Sequence, residues 1–153
     1  MRKVFWLVAA VALIADRISK AVVVRLMHPD QSIPVIPGVF HLTFVRNPGA
    51  AFGLFANQRL LFLAIAVGVI IAVIYYSRLL EPRQVLLQVA LGLQMAGAAG
   101  NLVDRATTGL VVDFLDLRIW PVFNVADASI VVGTGLLVLA LLRTPQHQRA
   151  GEC

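Results

Sequence analysis

Long apolar runs, separated by short charged or proline-bearing stretches, set the architecture of this chain. The first run, Val4–Ala15, is interrupted by Asp16-Arg-Ile-Ser-Lys20 and resumes at Ala21–Val24. Together these supply about the 20 residues that a membrane helix needs. The pattern predicts a retained helix over 4–24, although Arg2-Lys3 and the run behind it imitate a cleavable leader. Leu60–Tyr76, flanked by Arg59 and Arg78, predicts a second helix with tyrosines at its interfacial end. Val85–Val103 predicts a third, in which Gly92, Gly97, Ala98, Ala99 and Gly100 allow a neighbour to approach closely. Asn101 and Asp104-Arg105 are expected to close it. Val125–Leu142 predicts a fourth helix, followed by a polar tail over 143–153.

The stretch 27–58 is too polar and too rich in proline to span. Pro29, Pro34 and Pro37-Gly38 punctuate it, and Val39–Val45 suits a short strand. Asn47-Pro-Gly49 reads as a turn, and Ala50–Phe55 offers small residues and two phenylalanines suited to a lipid interface.

Composition narrows the class. Hydrophobic residues make up 59% and charged ones 14%, against about 25% charged in soluble domains. The expected molecule is one integral membrane domain over 1–153. Its net charge of +5 is scattered rather than gathered in a stripe, so it suits helix flanks and not nucleic acid. The one cysteine, Cys153, allows no intrachain disulfide, and His28, His41 and His147 have no ligand spacing, so neither metal nor cofactor is expected. Four spans place both termini on one side. Six basic residues flank helices there (Arg2, Lys3, Arg78, Arg83, Arg143, Arg149), against five opposite (Arg25, Arg46, Arg59, Arg105, Arg118). The positive-inside rule therefore leans toward cytoplasmic termini.

The chemistry gathers at Asp113 and Asp127. Carboxylates beside apolar spans call for a function or a partner. Trp120-Pro121 lies between these two, so only a chain reversal could bring them together. Two carboxylates held close with little water cannot both ionise, and such a pair can supply a base and an acid. Asn124-Val-Ala-Asp127 also has capping-box spacing, so spacing alone favours Asp127 as a helix cap over a catalytic role. Asp16 and Lys20, four apart, can form an ion pair on one helix face. A proton or ion transporter would place charges at mid-depth on several helices, whereas here only the first carries them deep. A scaffold has no need of two aspartates beside asparagines at the outer end.

Five blocks, in order, resemble the lipoprotein signal peptidases, the bacterial type II signal peptidases. They are Asp16-x-x-x-Lys20, Asn47-x-Gly49-Ala50-Ala51-Phe52, Gly97-Ala98-x-Gly100-Asn101-Leu102-x-Asp104-Arg105, Val111-Val112-Asp113-Phe114 and Phe123-Asn124-x-Ala126-Asp127. The resemblance implies an all-α membrane protein with four transmembrane helices, a small extracytoplasmic β-cradle and a short interfacial helix. It implies a monomeric aspartic endopeptidase of the inner membrane, with cytoplasmic termini and its site at the outer face. Its substrates would be prolipoproteins, cut just before a diacylglyceryl-modified cysteine. Asp113 and Asp127 would be catalytic, with Asn47, Gly49, Asn101, Asp104, Arg105 and Asn124 binding substrate or supporting the site. Asp16 and Lys20 would form a structural ion pair.

Overall fold

A computed structural model describes residues 3–49 and 58–143. Along the chain these form α1 (Lys3–Leu26), β1 (Ser32–Ile36), β2 (Phe40–Asn47), α2 (Arg59–Leu79), α3 (Val85–Thr107), β3 (Val111–Asp116) and α4 (Val125–Arg143). By length and composition α2, α3 and α4 can each cross a membrane, and the chain is a multi-pass membrane protein. α1 is as long as these but carries Asp16, Arg17 and Lys20 in its second half.

α3 is the helix on which the others pack, because its small residues leave room for a neighbour's backbone. A Cβ added at Gly92 would meet the Phe5 carbonyl oxygen of α1 at 2.8 Å, and one at Gly100 the Asp16 carboxylate at 2.5 Å. Gly97 is pressed in the same way against the Ala126 carbonyl of α4. The approach that the glycine-alanine pattern predicts is therefore a contact of α3 with α1 and α4 that runs from Gly92 to Gly100 along the helix.

The three strands form one antiparallel sheet in the order β1-β2-β3. β1 tolerates Pro34 because it is an edge strand with no ladder bond to give on its free side. Val23 of α1 and Met27 just after it close against Phe44 of β2 and Phe114 of β3, which seats the sheet on the bundle.

One expectation needs correcting. The third helix does not close at Val103 but runs to Thr107, and the Thr108 N–H caps it by donating to the Asp104 and Arg105 carbonyls. Asn101 and Asp104 stay helical because their side chains find partners on α1, as shown below. Asp113, to which the sequence pattern assigned no element, lies in a third strand, with Val45 opposite Asp113 and His41 opposite Asp116. The strand expected at 39–45 is present as β2, and the interfacial stretch Ala50–Phe55 lies outside the described residues.

After β3 the chain reverses. Phe123 bridges back to Leu115, with Phe123 N–H donating to the Leu115 carbonyl at 3.0 Å and receiving the Leu115 N–H on its own carbonyl at 2.8 Å. Arg118, at φ 65°, makes the sharp part of this turn. Asp116 holds it there, accepting the Arg118 backbone N–H at 2.8 Å and its guanidinium at 3.0 Å. The reversal returns Asn124 and the start of α4 to the edge of β3.

Candidate active site

The start of α4 fixes one carboxylate. Asn124 is its N-cap, and Asp127 lies at the third helical position, in reciprocal bonding. Asp127 N–H donates to Asn124 Oδ1 at 2.9 Å, and Asn124 N–H donates to Asp127 Oδ2 at 3.2 Å. This is the capping box that the spacing allows. It does not remove Asp127 from the cavity, because its other oxygen, Oδ1, accepts a bond from Asn101 Nδ2 at 2.7 Å.

β3 and β2 fix the second carboxylate. Asp113 Oδ1 accepts Asn124 Nδ2 at 2.7 Å, and Oδ2 accepts Asn47 Nδ2 at 2.9 Å. Asn124 thus touches both aspartates, with its amide on Asp113 and its backbone and carbonyl on Asp127. Asn124 is fully buried and Asp113 is 2% exposed.

The orientation of the three asparagines is not free. Asn47 Oδ1 is taken by the Gly49 N–H at 2.9 Å, Asn124 Oδ1 by the Asp127 N–H, and Asn101 Oδ1 by Lys20 Nζ at 3.1 Å and Asn124 Nδ2 at 3.3 Å. With each oxygen committed, each NH2 must face a carboxylate. Lys20 is anchored in turn by Asp16 at 3.0 Å and Asp104 at 2.8 Å. Asp16 Oδ1 also accepts the Ala126 N–H of α4 at 3.0 Å. α1 thereby supplies the support from which Asn101 and α4 are aimed.

Sequence reasoning missed Arg17, which lies 2.5 Å from Asp104 and donates to the Gly100 carbonyl at 3.1 Å. The signal was a charge imbalance. Asp16 can answer only one of the two cations Arg17 and Lys20, so a second helix had to bring a carboxylate. Arg105 takes a different role from its neighbour Asp104, donating to the Gly49 carbonyl at 3.1 Å with its guanidinium 4.6 Å from the centre of the Phe62 ring. Of the residues singled out in the sequence, Asn47, Gly49, Arg105, Asp113 and Asp127 line one cavity of about 250 Å³. Asn101 and Asn124 stand behind them, and Asp16, Lys20 and Asp104 form the supporting cluster.

The electrostatics favour unequal carboxyls. Burial pushes Asp113 up from 3.8 to about 7, and the nearby Asp127 charge adds to this, against the opposing bonds from Asn47 and Asn124. Near neutral pH Asp113 is therefore divided between acid and base forms. Among the described residues no group of three His, Cys, Asp or Glu side chains could hold a metal ion. The arrangement offers one proton shared near two carboxyls, three oriented amides and an arginine, on the rim of an apolar bundle.

Known proteins resemble this chain in sequence and in fold. Residues 8–143 match the family described as signal peptidase (SPase) II. A lipoprotein signal peptidase from Pelotomaculum thermopropionicum is 50% identical over 137 residues, 90% of either chain. One from Halothermothrix orenii is 45% identical over 148 residues, 96% of this chain and 99% of that one. A bacterial membrane enzyme solved by the in meso method superimposes with a TM-score of 0.85 at 35% identity, covering 96% of this chain and 92% of the other. A second such structure gives a TM-score of 0.80 at 36% identity, covering 91% and 92%.

Proposed function

We infer the mechanism from one premise: the chain belongs to the signal peptidase II family, and is a membrane protease that removes signal peptides from prolipoproteins. The proposal is that it does so as an aspartic endopeptidase, with Asp113 and Asp127 as the reacting pair. The observation that carries it is their shared cavity, in which Asn124 touches both and burial raises Asp113 to about 7.

In this mechanism Asp127, at the first turn of α4, acts as the base and takes a proton from water. The water oxygen attacks the carbonyl carbon of the residue before the diacylglyceryl cysteine. Asp113 gives its proton to the departing cysteine nitrogen, which leaves as a new amino terminus while the signal peptide retains a carboxylate. The backbone of the bound peptide would be held by Asn47 and Arg105, beside Gly49. Asn101 and Asn124 would keep the carboxyls aimed, and Asp104 with the Asp16–Lys20 pair would keep Asn101 aimed.

The proposed setting is the inner membrane, with the sheet and the dyad at the outer face, both termini cytoplasmic, and the chain acting as a monomer. α1 would be a fourth span. Its 24 residues reach about 36 Å, its two most costly charges, Asp16 and Lys20, are 1% exposed, and Leu7, Val11, Ile14 and Ile18 face outward. The test is to incubate purified, folded protein with a synthetic diacylglyceryl precursor and follow cleavage by mass. A product cut just before the lipidated cysteine is expected, lost in Asp113→Asn and in Asp127→Asn by several orders of magnitude. Near-normal cleavage by either variant refutes the aspartic mechanism.

A further inference from the structure

A second cavity, of about 340 Å³, runs down between α2, α3 and α4. Arg105 and Ile130 line both this cavity and the one that holds the aspartates, so the two adjoin. On α3 its wall is Arg105, Asn101, Ala98 and Gln94, whose spacing puts them on one helix face. On α2 its wall is entirely apolar, from Phe62 to Val69. The foot is polar. Gln94 Nε2 lies 3.5 Å from Thr134 Oγ1, which donates to the Ile130 carbonyl at 2.8 Å.

From Arg105 to Gln94 the trough descends about 16 Å along α3. That is about half the ~30 Å hydrocarbon thickness of a bilayer, the depth of a single leaflet. Its width excludes a signal helix, since a helix with side chains is about 10 Å across and would overfill 340 Å³ over that length. A single extended hydrocarbon chain matches the length, the width and the apolar wall. The trough adjoins the dyad's cavity, where the nitrogen of the diacylglyceryl cysteine would be freed. A chain carried by that cysteine starts at the correct end.

We propose, resting on the function above, that this trough receives one acyl chain of the substrate's diacylglyceryl group, and that Gln94 and Thr134 at its foot set the chain length accepted. A chain that ends short of the pair leaves the Gln94 amide free to find polar partners. A longer one presses methylenes onto the amide and leaves it unpaired in hydrocarbon, which costs about tenfold in relative turnover. Gln94 and Thr134 touch neither aspartate and act on specificity alone.

The experiment puts two otherwise identical prolipoprotein peptides, one dimyristoyl and one distearoyl, in the same tube with the full-length enzyme and reads the ratio of their cleavage rates. Because both compete for the same molecules, loss of folded protein cancels from the ratio. The native enzyme should favour the dimyristoyl peptide severalfold. Gln94→Leu should move the ratio about tenfold toward the distearoyl peptide, and Val69→Phe, which narrows the α2 wall, should move it the other way. A ratio that changes less than about twofold in both variants overturns the proposal. So does a preference that follows the acyl length of the surrounding phospholipid rather than that of the peptide, which would make the trough a seat for bulk lipid. Cleavage of neither peptide by the native enzyme would strike the proposed function itself, and is distinguishable from both.

Discussion

Replacing Asp113 with asparagine should make the protein more stable near neutral pH while it abolishes cleavage. The magnitude follows from the site. Asp113 is 2% exposed and its carboxyl titrates at about 7 instead of 3.8. Holding it ionised in the fold therefore costs about 4 kcal/mol at about pH 8, the upper bound on what a neutral replacement recovers. Asparagine gives part of this back. Both Asp113 oxygens accept amide N–H groups, from Asn124 and Asn47, whose orientations are fixed. The new NH2 must face one of them, which costs about 1–3 kcal/mol. The net gain is about 1–3 kcal/mol at about pH 8, read as a rise of several degrees in the unfolding midpoint in detergent. The sign of the pH dependence is set by the raised value. The folded protein binds a proton that the unfolded chain has already released between about pH 4 and pH 7, so the native protein loses stability as pH rises through that window. The variant has no such group and stays level. Near pH 4 the ordering should reverse, because only the hydrogen-bond loss then remains. Thermal unfolding of both proteins across this range, with far-UV circular dichroism as readout, checks it. A variant destabilised equally at both ends of the range would refute the assignment of a buried, proton-holding Asp113.

Lys20→Met should destabilise the bundle by about 3–5 kcal/mol, because it removes the buried cation between Asp16 and Asp104 and leaves them only the part-exposed Arg17. Its denaturation midpoint would show this, and a native midpoint would mean the cluster carries no such charge balance. A reporter fused after Cys153 should be cytoplasmic and one inserted near Asp30 external, and the opposite pattern would put the dyad on the wrong side for prolipoprotein cleavage. Cleavage should continue in strong chelators and after thiol alkylation, and a loss restored by zinc would point to a metallopeptidase instead.

The helices were legible because membrane spans announce themselves by length and apolarity, and the small residues of α3 announced its close neighbours. The capping box at Asn124 and Asp127 was legible because it is local, with all its atoms within four residues. What the pattern did not reveal was non-local. β3 is too short and too apolar for alternation to separate it from a loop beside a helix, and its strand character comes from β2, more than sixty residues earlier in the chain. The end of α3 was misplaced for the same reason. Asn101 and Asp104 look like helix-ending polar residues until Lys20 and Arg17 of α1 are seen to satisfy them. The proposal that both aspartates serve chemistry draws on the resemblance of five motif blocks, since spacing alone favoured a helix cap at Asp127, and the cap is indeed formed.

The Asn124–Asp127 box joins two kinds of selection that usually act on separate residues. Such boxes are commonly closed by glutamate or glutamine, and here a shorter side chain does it, holding the carboxylate near the backbone and beside the cavity. One carboxylate thus both begins a membrane helix and faces the proposed scissile bond. A substitution at position 127 is therefore answerable twice, for about 0.5–2 kcal/mol of helix capping and for the proposed cleavage. Each time Asp127 gains a proton in the proposed cycle, its bond to the Asn124 N–H weakens and the first turn of α4 is briefly less secure. A product that leaves at that moment would depart through a doorway its own cleavage had loosened.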